Sequence, residues 1–335
     1  MKRKILWALI GAIIILIGSA VLFTLSLITA KAPNEDGGKG RLIYIDRDDT
    51  ADSVRTKTAL GWRWDVYSKV LSYHTRTGRY RVSAEMSCLQ LYRLLRNGIQ
   101  EPMNLVVPTS RTMDRLAAML SQSLMVDSAE IATSLTDSTY LAAHGYTKET
   151  IPALFIPNTY EVYWDISVDK LMERMERENN RFWTAERKAK AEACGLTREQ
   201  VATLASIVDE ETANDGEKPM IAGLYLNRLR LGMPLQADPT VKFAVGDFSL
   251  RRILNKHLRV ESPYNTYLVG GLPPGPIRIA SIAGLEAVLN HAEHNYLYMC
   301  AKEDFSGTHN FAATLSEHYG NARRYVRALN AKGIR

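Results

Sequence analysis

At 335 residues, with 46% hydrophobic and 23% charged side chains, the chain has the composition of folded globular material, long enough for more than one domain, and wholesale disorder is excluded. The formal net charge of +6 and pI of about 9.1 would suit a nucleic-acid partner. Much of that excess, however, sits in Lys2, Arg3 and Lys4 and in a C-terminal cluster of Arg323, Arg324, Arg327, Lys332 and Arg335, so a surface beside anionic lipid or wall polymer, or simply a solvated helix face, fits better. Cys88, Cys194 and Cys300 are odd in number, lack CxxC or metal-ligand spacing, and read as buried thiols.

Residues 1–4 form a basic tail, and residues 5–30 an unbroken uncharged run rich in Ile, Leu, Val and Ala. A membrane-spanning helix needs roughly 20 apolar residues, whereas the apolar part of a cleavable signal peptide is about 7–15, so the length predicts a single transmembrane anchor. The alternative is a signal peptide cut after the small-x-small triplet Ala30-Lys31-Ala32. Basic residues before the run, with Asn34, Glu35 and Asp36 after it, predict an N-terminus in the cytoplasm of an inner-membrane protein and an extracytoplasmic, or periplasmic, remainder.

Residues 31–40, KAPNEDGGKG, read as a tether. Residues 41–100 follow as a small β-α-α-β unit: a strand at 41–45, a helix capped by Thr50 and running to about Leu60, a second helix from Trp62 to Tyr73, and a strand at 78–83. Its opening, Ile45–Val54, aligns without gaps to Val107–Leu116, each a strand end, a turn and a capped helix. Beyond residue 100 the pattern predicts short helices to about Gly145, a strand within Ile156–Trp164, a long charged helix from about Val168 to Cys194, and then helices alternating with short strands. The fold class expected is α+β with helices in the majority: one N-terminal transmembrane helix, the small domain, and a helix-rich domain over 101–335.

Thr197-Arg-Glu-Gln200 is a capping box that opens a helix. At about 100° per residue from Val201, an apolar arc holds Ile207, Leu204, Val208, Val201 and Ala205, and Glu211 falls at about 280°, inside it. Glu210 falls at about 180°, toward solvent, and Asp209 at about 80°, on the flank. A carboxylic acid on a buried stripe resists ionisation, so Glu211 has the position of a general acid. The competing reading pairs Glu211 with Arg228 or Arg230 of the next helix, or lets it fray at Asn214-Asp215-Gly216.

These residues meet a resemblance. ASIVDEET at 205–212 is similar to the ASIVExET signature of the YceG-like (MltG) family of endolytic murein transglycosylases, with Asp209 in place of the usual Glu. In order follow LYLNRL at 224–229, GMPLQADPTV at 232–241, PYNTY at 263–267, GGLPPGPI at 270–277 and HNF at 309–311, while upstream FIPNTYE at 155–161 resembles LFPDTYEF with Asn158 for Asp. The chain departs again at Glu317-His318-Tyr319, where EHN is commoner. The resemblance runs from the anchor to the C-terminus and implies a LysM-like region at 41–100 and a YceG-like catalytic domain at 101–335.

It further implies Glu211 as the catalytic acid and Asn227, Gln236, Asp238, Thr240, Tyr264, Asn265, Thr266, Tyr267, Pro274, His309 and Phe311 as substrate-binding candidates, polar and aromatic groups of the kind that line sugar clefts. The implied activity is lytic cleavage of the MurNAc-GlcNAc β-1,4 bond inside nascent peptidoglycan strands, leaving 1,6-anhydro-MurNAc ends, in cell wall biogenesis and strand termination. Implied partners are glycan strands, the membrane and penicillin-binding synthases, with no cofactor, metal or nucleic acid. Three rivals differ in class: a hydrolase in which Asp238 or Glu161 positions water, a non-enzymatic wall-binding scaffold, and a phosphoryl or nucleotide enzyme, for which no P-loop or GxGxxG is present. Singly each segment has a bland reading, such as a rigid turn at Leu272-Pro-Pro-Gly275 or a satisfied surface histidine at His309.

Overall fold

A computed structural model describes residues 2–34, 40–250 and 252–333. Met1, Glu35, Asp36 and Arg335, used above for the tail, the tether and the C-terminal cluster, lie outside the described residues. The chain divides into two compact units, one of residues 1–105, 123–125 and 161–166, the other of 106–122, 126–160 and 167–335.

The first unit opens with α1 (Lys2–Thr29), apolar enough over Arg3–Thr29 to cross a membrane and with none of that stretch buried. Then come β1 (Arg41–Ile45), α2 (Ala51–Thr58), α3 (Trp62–Leu71), β2 (Gly78–Val82) and α4 (Cys88–Asn97). β1 and β2 pair antiparallel from Arg41 opposite Val82 to Ile45 opposite Gly78. Alternation along them sends Ile43, Ile45, Tyr80 and Val82 into a core with Val54, Trp64, Tyr67, Leu91, Tyr92 and Leu95. Thr50 caps α2 through the Ser53 amide, as its spacing predicts, and Ser87 with Gln90 forms a capping box on α4. Lys31 bridges to Ser87, the Ala32 amide donates to Met86, and Ala32 is buried, so the start of the 31–40 segment is docked on the unit.

The strand order continues with β3 (Met103–Val107) and, after α5 (Met113–Ser121), α6 (Ser128–Ser134) and α7 (Ser138–Ala143), with β4 (Asn158–Val162), which pairs with β3. The repeat seen in the sequence is real as local structure: β3 leads to α5 capped by Thr112 as β1 leads to α2 capped by Thr50. The expected single helix over 168–194 is two, α8 (Val168–Phe182) and α9 (Ala185–Ala193). The break falls where Trp183 leaves helical geometry to be buried and Thr184 caps the new helix through the Arg187 amide.

At the centre of the second unit lies α10 (Arg198–Glu211), opened by the capping box of Thr197 and Gln200. Every residue from Val201 to Val208 is buried, because α9, α11 (Lys218–Arg230), α12 (Asp238–Val245) and α13 (Ile282–Leu289) surround it. A hairpin of β5 (Tyr298–Ala301) and β6 (His309–Ala312) and the helix α14 (Leu315–Ala331) complete the chain. Among the described residues the strands make three two-stranded sheets beside predominantly helical structure, a helix-rich α+β fold. None of the three cysteines is in a disulfide; Cys88 is buried as expected, while Cys194 and Cys300 are only half-buried.

Candidate functional site

The burial of α10 on all sides changes the meaning of its three terminal acids. Glu210, expected to face solvent, is 12% exposed and takes both branches of the Arg111 guanidinium at 2.9 and 2.7 Å, with Arg278 at 2.8 Å. Asp209, expected on a flank, is 3% exposed and accepts from the Ser281 amide at 2.6 Å, the Ser281 hydroxyl at 2.7 Å and Lys218 Nζ at 2.7 Å. The angular projection fails because it assumes one wet face, whereas Lys218 comes from the next helix and Arg111, Arg278 and Ser281 from 68 to 99 positions away.

Among the described residues, Glu211 is the one of the three with no cation bonded to it. It pairs with neither Arg228 nor Arg230: the Arg228 guanidinium donates to the carbonyls of Leu297, Pro234 and Leu235 and to the Gln236 side chain, and Arg230 reaches Asn227. The Glu211 carboxylate instead accepts a hydrogen bond from Tyr225 Oη at 2.6 Å and faces a cavity of about 230 Å³. Tyr225, Arg228, Gln236, Asp238, Tyr267, Met299, Cys300 and His309 line that cavity with it. Some Glu211 surface is accessible through the cavity, but protein atoms enclose the carboxyl elsewhere. This enclosure, with the negative charges of Asp238 and Glu210, raises its pKa to about 7 against the opposing effects of the Tyr225 bond and His309. Burial beside Glu211 holds Tyr225 far above the usual phenol range, so it stays a neutral donor.

The opposite wall is built by the 234–241 and 263–267 segments. The Ala237 amide donates to Thr266 Oγ1 at 3.0 Å, Thr240 and Thr266 hydroxyls meet at 2.8 Å, and the Gln236 amide donates to the Thr266 carbonyl at 3.1 Å. Gln236 is held at φ 49°, a left-handed conformation that a non-glycine residue adopts only under such restraint. These bonds bring Asp238, first residue of α12, within 2.7 Å of Tyr267 Oη. Asn265 holds the carbonyls of Leu258 and Val260 and accepts from the Tyr267 amide, so it shapes the loop that carries Tyr267. On the hairpin side, His309 is fixed by Glu217, which accepts from its amide at 2.7 Å and meets its Nδ1 at 2.9 Å.

Of the candidates read from the sequence, Glu211, Gln236, Asp238, Tyr267 and His309 thus share one cavity. Thr240, Asn265 and Thr266 are fully buried behind it. Tyr264 packs on Phe243, Phe311 stacks on Tyr296, Asn227 holds the carbonyls of His294 and Tyr296, and Pro274 is exposed; none of these four lines the cavity. Glu161, the other carboxylate considered for positioning water, is exposed on β4. Sequence reasoning missed Tyr225 and Glu217; a tyrosine inside the apolar α11 needs a partner for its hydroxyl, which is the signal that could have found the first. Among the described residues no group of three or more His, Cys, Asp and Glu side chains is placed to hold a metal ion.

The profile of the YceG-like family matches residues 47–324. An endolytic murein transglycosylase of Bacillus subtilis is 34% identical over 186 residues, covering 55% of this chain and 51% of that protein. Another, from Streptococcus pneumoniae, is 27% identical over 301 residues, covering 79% and 54%; the chain spans about half the length of these relatives. A crystal structure of a YceG-like protein from Listeria monocytogenes superposes with a TM-score of 0.55 over 85% of this chain and 99% of that one, a likeness of fold at 24% identity. With the family's profile running through α10 and every wall of the cavity, the chain belongs to the YceG-like family.

Proposed function

We propose that the chain is an endolytic peptidoglycan transglycosylase anchored in the cytoplasmic membrane by α1, with Glu211 as its acid. The observation that carries the reading is Glu211 itself: a carboxyl with no cation bonded to it among the described residues, enclosed beside a polar and aromatic cavity, half ionised at about pH 7. Such a group can give a proton and take one back within a single turnover. Glu211 protonates the oxygen between MurNAc and GlcNAc; the resulting carboxylate then removes the proton of the MurNAc C6 hydroxyl as that oxygen closes on C1 to form the 1,6-anhydro ring. The nucleophile belongs to the substrate, so ring closure gains from proximity and consumes neither water nor metal. Tyr225 occupies Oε1, which leaves the transferable proton on Oε2.

In this reading Gln236, Asp238, Tyr267 and His309 meet sugar hydroxyls and N-acetyl groups while Thr240, Asn265 and Thr266 hold that wall, a division supported by the cavity the first four share and the bonds behind it. The relatives' printed activity supports the reaction, and Lys2, Arg3 and Lys4 ahead of the apolar run of α1 support a cytoplasmic N-terminus with the rest outside. We further take 41–100 as LysM-like, from its β-α-α-β order, and membrane-bound penicillin-binding synthases as partners in strand termination. One observation favours a second reading: Asp238 supplies another carboxylate to the cavity, as a hydrolase requires. Mass spectrometry of glycan digested by wild type and by Glu211→Gln separates them. Internal fragments with anhydro-MurNAc ends from wild type alone are expected. Reducing ends would establish hydrolysis, and cleavage that persists in Glu211→Gln would overturn the role of Glu211.

A further inference from the structure

The end of α1 is locked to the first unit rather than trailing from it. Leu27 and Ala30 pack on that unit's core, Tyr67 Oη donates to the Leu27 carbonyl at 2.5 Å, and the Cys88 amide donates to the Ala30 carbonyl at 2.7 Å. At 1.5 Å per residue the 28 residues of α1 extend for about 42 Å, against about 30 Å of hydrocarbon. Counting about 20 residues from Ile5 puts the far edge of the hydrocarbon at about Thr24. At that height the ring of Phe23 stacks on Trp62 at 5.5 Å and 21°. Trp62 begins α3, is 45% exposed, and carries the Arg63 guanidinium over its ring at 4.6 Å. An indole at the hydrocarbon edge with a guanidinium beside it matches the chemistry of the headgroup layer, where amphipathic rings and snorkelling cations settle.

We propose that the Gly61–Arg63 tip of the first unit is seated in the phospholipid headgroup layer next to α1, a second membrane contact that fixes this unit's stance on the bilayer. The proposal rests on the reading of α1 as a membrane anchor. Trp7, 71% exposed near the opposite end of α1, reports on that reading separately. The test is tryptophan fluorescence of the full chain in phosphatidylcholine vesicles whose acyl chains are brominated close to the glycerol, for wild type, Trp7→Phe, Trp62→Phe and the double variant. Phenylalanine keeps a ring against Phe23, and matching far-UV circular dichroism verifies folding. Each single variant is expected to lose part of the bromine-quenched intensity and the double variant nearly all of it. Quenching that disappears with Trp7→Phe but is unchanged by Trp62→Phe would mean an inserted anchor with the tip clear of the bilayer, overturning the proposal alone. No quenching in wild type would remove the anchor reading and the proposal with it.

Discussion

The last turn of α10 sets two regions side by side. On one, Asp209 and Glu210 are almost fully enclosed and matched by Lys218, Arg111 and Arg278. Despite the desolvation that opposes it, this pairing holds the Glu210 carboxyl below its usual range. On the other, Glu211 meets a neutral phenol and two further carboxylates, and its pKa rises to about 7. Enclosure is common to both; the charge of the neighbours decides which acid keeps its proton. One region pairs its acids with cations, while the other leaves an acid that ionises only near neutral pH.

The largest effect should come from breaking the paired side. Lys218→Met breaks an enclosed ion pair and leaves Asp209 with only the Ser281 donors among its present bonds, and is expected to lower stability by about 3–5 kcal/mol in urea unfolding. On the other side the sign reverses. The Glu211 pKa is raised in the folded protein, so its contribution to stability is complete below about pH 4.5 and is lost as pH rises through about 7. Glu211→Gln should therefore be more stable than wild type by about 1–3 kcal/mol at pH 8, with the advantage gone at pH 4; equal unfolding midpoints at pH 8 would contradict the assignment. Tyr225→Phe removes a bond that favours the ionised form, so the upper limb of the pH-rate profile should move alkaline by about one unit while the maximum falls about tenfold, a change a purely structural role would not produce. Smallest is Thr197→Ala, expected to cost about 1 kcal/mol of stability and to leave the pH profile unmoved.

The difference between these regions also explains what could be read from sequence. Interactions closed within three or four residues, such as the Thr50, Thr112 and Thr197 caps, were legible because donor and acceptor share one turn of chain. Glu211 was picked out on an argument about one buried stripe, yet α10 is buried all round, and what distinguishes it is the cations it lacks. Those cations arrive at Glu210 from Arg111, 99 residues upstream, and from Arg278, 68 downstream, and no periodicity encodes such pairings. The same holds for Glu217 and His309, separated by 92 residues, and for the break at Trp183, where tertiary burial overrides a sequence that is helical in pattern on both sides. Polar segments such as 263–267 announced a site without saying which side chains face it: Tyr267 does, while Asn265 and Thr266 support it from behind.

Glu211 is also the final residue of α10, where Thr212 turns to extended geometry and its amide bonds back to the Val208 carbonyl. The aligned peptide dipoles of a helix leave partial negative charge at its carboxyl end, worth about 0.3–1 kcal/mol against an anion there. Burial, the larger cause, and this backbone potential both survive replacement of Asp238 or Glu210 by an amide, so such a change can lower the acid's pKa but cannot return it to that of a free carboxylate.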